Sequence, residues 1–158
     1  MAKEIVIPLN GHVHVKAWEK QPDGSEKVIK DDTIKNLVVT AGKDSILKYL
    51  GNTAPTFSGY AGSIGVGDST TAAASGQTDL QGSSNKLFKT ILAGNRVFIT
   101  PTLFLSVEFG YSEANFTWNE LGIKDNQGTP VLWARQIDAS PLAKTSSKRA
   151  IVEWQLSL

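Results

Sequence analysis

The feature that most constrains this chain is a period-two alternation of apolar and polar side chains. Residues 149–158 place an apolar side chain at every even position, from 150 to 158. Residues 11–20 and 103–109 alternate in the same way. Successive side chains of a β-strand point to opposite faces of the sheet, so the pattern predicts strands with one face against a core.

Further apolar, β-branched and aromatic runs occur at residues 61–67, 86–92, 96–100, 114–118 and 130–135. Gly, Asn, Asp and Pro separate these runs and supply turn chemistry, including a turn at residues 125–128. Eight to ten short strands with one helix predict a mainly β fold. We expect an antiparallel β-sandwich or an open barrel.

One segment has helical rather than strand spacing. Ile46, Leu47 and Leu50 fall on one face of a helix predicted at about residues 41–50. Thr40 is its predicted N-cap, because a hydroxyl there can accept a hydrogen bond from a free N–H of the first turn. We expect this short helix to cover one end of the sandwich or barrel.

The sequence divides into a predicted arm and a predicted domain. Residues 1–33 contain a Pro-interrupted run at 4–9, then two strands at 11–20 and 26–33 joined by a turn, and they predict an N-terminal hairpin arm that reaches a neighbouring subunit. Residues 34–158 are the predicted β-sandwich domain. Within it, residues 68–79 have no period and predict a surface loop, and residues 144–149 predict a solvated basic loop.

Composition excludes several classes of protein. The chain has 158 residues, 16 basic against 15 acidic, and no cysteine. This charge balance gives no basic surface for nucleic acid or for an anionic membrane. Disulfides, thiolate catalysis and Cys-ligated zinc are excluded. No apolar run reaches the roughly 20 residues that span a bilayer.

The candidates for catalysis or metal binding are few. His12 and His14 share one strand face, but no further histidine supplies a third ligand. The glycines of residues 61–67 do not have the spacing of a phosphate-binding loop, and tight strand packing explains them better. No nucleophile-centred motif occurs. Hydrolysis would need two facing carboxylates, and four acidic residues lie in the β-rich half: Glu108, Glu113, Glu120 and Asp138. The sequence therefore predicts no catalytic, metal or cofactor site.

Aromatic and charged residues in the strands are the candidate structural or interface residues: Trp18, Trp118, Glu120, Trp133, Arg135 and Trp154. The tryptophans of the last three strands are predicted to stack across neighbouring positions. An exposed tryptophan platform for sugars is the alternative. Glu120 is expected to meet Arg135 across the turn at 125–128, either as a structural pair or as an exposed pair of small energetic value.

Several short motifs follow one another along residues 34–158. They are N-L-V-x-x-x-G at 36–42, the run I-G-V-G-D-S-T-T at 64–71, F-x-W-x-E-x-G-I at 116–123, L-x-A-R at 132–135 and S-P-x-x-K at 140–144. Together they resemble a group of small tailed-bacteriophage virion proteins, annotated in general as tail-fibre, baseplate, collar or head-decorating components.

The resemblance implies a non-enzymatic structural subunit. Its partners would be other virion proteins and further copies of itself, arranged as a trimer or a ring. Its location would be the virion, after synthesis in the cytoplasm of the host bacterium. The alternative function is a carbohydrate-binding β-sandwich for host recognition, with a glycan as ligand and exposed tryptophans in a concave site.

Overall fold

A computed structural model describes residues 10–50, 61–125 and 129–157. The predicted run at 4–9 and residues 126–128 of the predicted turn lie outside the described residues. The described chain folds, in sequence order, into these elements: β1 (Asn10–Lys20), β2 (Glu26–Lys35), β3 (Leu37–Val38), α1 (Thr40–Leu50), β4 (Ala61–Gly67), β5 (Lys86–Thr90), a short 3-10 turn (Ala93–Asn95), β6 (Arg96–Ile99), β7 (Thr102–Phe109), β8 (Thr117–Asp125), β9 (Leu132–Ala143) and β10 (Lys148–Ser157).

The strands form two five-stranded antiparallel sheets. Sheet A has the order β2-β1-β10-β7-β6, and sheet B has the order β3-β9-β8-β4-β5. A mainly β, sandwich-type fold with one short helix is thereby confirmed. The sheets pack face to face, because one apolar core draws on both of them. Sheet A contributes Val13, Val15, Ala17, Leu105, Val107, Phe109, Ala150, Val152 and Trp154, and sheet B contributes Ile64, Val66, Leu121, Ile123, Trp133, Ala134 and Leu142.

The period-two pattern gives the inward faces correctly. The odd positions of β1 from Val13 to Ala17 are fully buried, and so are the even positions of β10 from Ala150 to Trp154. Register explains why these faces match: Val13 lies opposite Trp154, and Val15 lies opposite Val152. The two side chains of each pair lie on the same face of sheet A, so the apolar positions of β1 and β10 form one continuous apolar face.

The described part of the predicted N-terminal arm belongs to sheet A. β1 is not peripheral: it lies between β2 and β10 and pairs with β10 from Asn10 to Glu19. Its inward side chains belong to the common core. The arm was predicted because its strands are short and partly polar and Pro8 interrupts the first run, but β1 is 11 residues long and its inward apolar side chains are buried. In the described residues, the hairpin is therefore part of the sandwich. Contact of this hairpin with a neighbouring subunit stays a prediction.

The predicted helix is confirmed at Thr40–Leu50, but its N-cap and its contacts differ from the prediction. It begins at Thr40, and the carbonyl of Val39 accepts the Lys43 amide at 3.1 Å, so Val39 occupies the cap position predicted for Thr40. Leu47 is 64% exposed, so it does not contribute to a buried apolar face. Gly42 makes the close contact instead: a Cβ atom there would lie 2.3 Å from the carbonyl oxygen of Trp133 on β9.

Two strands differ in extent from the prediction. β8 begins at Thr117, because Ala114 has a positive φ of 49° and turns the chain before the strand. β9 continues from Leu132 to Ala143, well beyond residue 135. Its outer neighbour β3 pairs only with residues 134 and 135, so Pro141 removes no ladder hydrogen bond on that side.

Candidate functional site

A buried ion pair connects the two longest strands of sheet B. Arg135 Nε donates to Glu120 Oε2 at 2.7 Å, and both side chains are 0% exposed. Glu120 lies opposite Ile137 and Arg135 lies opposite Gly122, so the two residues are diagonal neighbours on β8 and β9. The expected contact is present, in a buried and not an exposed form.

The loop at residues 68–85 covers this pair and is bound to it. The backbone amides of Gln81 and Gly82 donate to the two Glu120 carboxylate oxygens, at 2.9 and 2.6 Å. Arg135 in turn donates to the Gln77 side-chain oxygen at 2.9 Å and to the Thr71 carbonyl at 2.8 Å. The charges are thus satisfied by the chain itself, as buried charges require.

Two glycines of β4 make room for side chains of the neighbouring strands. A Cβ atom on Gly67 would lie 2.4 Å from Glu120 Oε1, and one on Gly65 would lie 2.5 Å from the Phe88 ring. Strand packing is therefore the role that the structure gives to these glycines. No phosphate-type loop geometry is involved, because both lie inside a paired strand.

Three of the four tryptophans are in the interior. Trp118 and Trp154 are fully buried and Trp133 nearly so. The predicted stacking of these rings is wrong: Trp118 lies opposite Leu142 and packs edge-on against Phe109 at 5.0 Å, while Trp154 belongs to the other sheet. These rings stabilise the core and offer no platform for a sugar.

Trp18 is the partly exposed tryptophan, and a cluster of charged residues covers it. The Arg149 guanidinium lies 4.2 Å from the ring centroid. Arg149 also donates two hydrogen bonds of 2.7 Å to Glu26, which accepts a further one from the Tyr111 hydroxyl. These contacts lower the pKa of Glu26 to about 2, with the Arg149 hydrogen bond as the largest cause. The same carboxylate raises the pKa of Arg149 and of Tyr111.

Two buried lysines are also held by the fold. Lys144, predicted to lie in a solvated loop, is 2% exposed instead. Its ammonium donates to the carbonyls of Gly110 and Glu113 and to the side-chain oxygen of Asn115, at 2.7, 3.0 and 3.0 Å. Burial lowers its pKa. No local pattern signals this contact, because its three acceptors lie about 30 residues upstream.

Lys30 lies at a cavity of about 370 Å³ between β2 and β9. Its ammonium contacts Asp32 at 2.6 Å, Asp138 at 3.2 Å and the Ser140 carbonyl at 2.5 Å. The cavity is lined by residues 28–32 and 140–142. Its buried cation is already paired with carboxylates, so the cavity offers no free positive charge for an anionic ligand.

The histidines do not converge on a metal site. His12 and His14 are half-buried on the outer face of β1, and His14 Nε2 lies 2.7 Å from Asp31. No group of three or more His, Asp or Glu side chains with the geometry to hold a metal ion occurs among residues 10–50, 61–125 and 129–157.

The most unusual surface in the described ranges is a set of exposed apolar side chains on β6 and in the segment that leads to it. Val97, Phe98 and Ile99 are successive exposed residues of β6, an edge strand of sheet A, and Leu87 and Leu92 precede them along the chain from β5, an edge strand of sheet B. Their exposed fractions run from 37% to 67%. Exposed apolar surface gathered in one segment is a candidate interaction site. The sequence analysis did not predict this surface. A signal was present, because Val97, Phe98 and Ile99 are three successive apolar residues and lack the alternation of a strand with one polar, solvent-exposed face.

We call these five residues the β6 strip. Register shows why they are exposed on both faces. Phe98 lies opposite Leu103, on the core side of sheet A, and Val97 lies opposite Phe104, on the outer side. Phe98 is 67% exposed although its register places it on the core side.

No helix in the described ranges combines the length and the apolar character that crossing a bilayer requires. Comparisons with family models, curated proteins and solved structures find no match for this chain.

Proposed function

We propose that this chain is a non-enzymatic structural subunit of a tailed-bacteriophage virion, which assembles on the particle through protein–protein contacts. The motifs along residues 34–158 that resemble small virion proteins support the virion assignment. The location that follows from it is the assembled particle.

The observation that carries the assembly role is the β6 strip. An isolated subunit would leave Val97, Phe98 and Ile99 in water at a sheet edge that no further described strand pairs with. Edges of this kind template pairing with another chain unless they are protected. Contact with a partner would remove this apolar surface from water and stabilise the assembly.

The polar clusters support a structural role over a catalytic one. Glu120, Arg135, Lys144 and Lys30 are buried, and each is held by hydrogen bonds or ion pairs inside the fold. A catalytic acid, base or nucleophile must instead face a space that a substrate can enter. The charges of this protein connect loops and strands to one another.

The carbohydrate-binding alternative has less support. It requires exposed tryptophans in a concave site, and Trp118, Trp133 and Trp154 are in the core.

The test is mass spectrometry of particles purified from the phage whose genome encodes this sequence. We expect the chain in purified particles at a fixed copy number relative to the major capsid protein, together with loss of the chain or defective particles when its reading frame is interrupted. Particles of normal composition and infectivity that lack the chain would contradict the proposal.

A further inference from the structure

The four edges of the two sheets are protected to very different degrees. β2 carries six charged residues in ten, β3 has only two residues, and β5 has lysines at positions 86 and 89. These are the devices that keep an edge from pairing with another chain. β6 has none of them between Val97 and Ile99. Within the described part of the chain, β7 is its only paired neighbour.

The order of side chains on β6 makes this edge complementary to itself. Antiparallel pairing of two copies about Phe98 would place Phe98 opposite its own equivalent and Val97 opposite Ile99 of the other copy. Core-side residues would then meet core-side residues, and outer residues would meet outer ones, as a continuous sheet requires. Arg96 would lie opposite Thr100, so no like charges would face each other.

We infer that the occupant of the β6 strip is a second copy of this chain, and that two copies pair antiparallel through β6 about a two-fold axis at Phe98. The two A sheets then form one ten-stranded sheet. This inference rests on the proposed function in one respect, that the strip is an assembly contact, and it names the partner. It replaces the trimer or ring expected from the sequence by a two-fold unit, which is isologous.

The area sets the expected strength of this contact. Covering the five side chains of the β6 strip would remove roughly 500 Å² from each copy, given their exposed fractions and the sizes of such side chains. A standard interface removes about 800 Å² per partner. Backbone pairing along β6 adds hydrogen bonds to this apolar contact. We therefore expect a specific dimer that dissociates on dilution, with Phe98 as the central aromatic contact.

The experiment is light scattering coupled to size exclusion over a dilution series, with sedimentation equilibrium to obtain the dissociation constant. The wild-type chain should approach twice its 17.0 kDa mass at high concentration. Phe98→Lys places two like charges directly opposite each other across the axis and should raise the dissociation constant about tenfold or more. Leu47→Lys is the matched control, because Leu47 is equally exposed but lies on α1, and it should leave the dissociation constant unchanged.

A pair of substitutions tests the register. Val97→Lys alone and Ile99→Glu alone should each weaken the dimer. The double variant should restore much of the lost affinity, because Lys at 97 would then face Glu at 99 of the other copy twice per dimer. All these positions are exposed in the single chain, so unfolding should not obscure the result; the circular dichroism spectrum of each variant checks this.

Three results would overturn the inference: a monomer throughout the series, an odd-numbered multimer, or a dimer as sensitive to Leu47→Lys as to Phe98→Lys. Failure here is separable from failure of the proposed function. A monomeric chain that is still found in purified particles would refute the two-fold pairing alone. A dimer absent from particles would refute the virion role alone.

Discussion

Glu120 and Arg135 meet at 2.7 Å in the interior of sheet B, and the two backbone amides that complete the carboxylate's hydrogen bonding come from a loop about 40 residues upstream. The ion pair is thus one of the points at which the 68–85 loop is attached to the sandwich, together with contacts of Asp68 and Asp79 with β8. Buried pairs of this kind are costly to break, because the remaining charge is left without a partner.

Removing one member of the pair should destabilise the protein strongly. We expect Glu120→Ala to lower the free energy of unfolding by about 3–5 kcal/mol, because the Arg135 guanidinium would stay buried without its carboxylate. The double variant Glu120→Leu/Arg135→Leu should lose less free energy of unfolding than the sum of the losses in its two single variants. Urea unfolding of the single and double variants measures these losses. A cost below about 1 kcal/mol for the single variant would be that of an exposed pair.

The same pair should hold the loop in place. In Glu120→Ala the amides of Gln81 and Gly82 lose their acceptor, so their hydrogen exchange should accelerate more than that of β1 amides. Exchange measured residue by residue tests this. Equal acceleration throughout the chain would indicate global destabilisation without specific release of the loop.

Gly67 should not tolerate a side chain. A Cβ atom at this position would lie 2.4 Å from Glu120 Oε1, an oxygen that is fixed by the Gly82 amide. We expect Gly67→Ala to cost about 1–3 kcal/mol of stability, by overpacking. Gly76→Ala is the matched control, since no atom lies within 4 Å of its added Cβ. Equal effects of the two substitutions in thermal unfolding would refute this account of Gly67.

Acid should destabilise the protein through the Glu26 cluster. The pKa of Glu26 is lowered from 4.5 to about 2 in the folded chain, chiefly by the Arg149 hydrogen bond and then by Tyr111. A carboxylate with a lowered pKa contributes stability that is present above about pH 4.5 and is lost as the pH falls towards 2. Because the group is exposed, solvent screening keeps the contribution modest.

Glu26→Gln should therefore make the stability less dependent on pH between 4.5 and 2, and Tyr111→Phe should do so to a smaller extent. Urea midpoints at a series of pH values measure the effect. The other carboxylates with a lowered pKa keep their own pH dependence in both variants; they are Asp23, Asp31, Asp79 and Glu113. Parallel pH profiles for the wild type and Glu26→Gln would count against this role.

The Lys144 contact should be important for stability although its partners are mostly neutral. Lys144→Met keeps most of the side-chain volume but removes the ammonium donor from the Glu113 carbonyl and the Asn115 side-chain oxygen, and it leaves the Gly110 carbonyl with the Glu113 amide as donor. We expect a loss of about 2–4 kcal/mol. Lys43→Met, at an exposed position of α1, should change stability by less than about 0.5 kcal/mol. Denaturant unfolding of both variants decides between a structural and a solvated lysine.

Local patterns predicted the strands because period two is a property of neighbouring residues. The alternation from Val13 to Ala17 and from Ala150 to Trp154 was sufficient to give the inward faces, and the turn chemistry was sufficient to join β1 to β2. The helix also had a local signal, but the contact of the helix with β9 did not. Gly42 approaches Trp133, which lies about 90 residues further along the chain.

Strand order and charge burial could not be predicted in this way. Nothing local distinguishes β1, an interior strand, from an arm, because its neighbour β10 comes from the other end of the described chain. The pairing of Glu120 with Arg135 could be predicted from the turn between their strands. The burial of both by the 68–85 loop could not.

The position of β1 also constrains when the fold can form. Asn10 pairs with Ser157, so the inward face of β1 has no second neighbour in its sheet until β10 has been synthesised. During translation, Val13, Val15 and Ala17 would stay accessible to chaperones or to other nascent chains while most of the polypeptide is made. Contacts of such long sequence separation also slow folding. Pairing with β10 therefore completes sheet A around β1 and removes the apolar face of the β1–β2 hairpin from contact with other molecules.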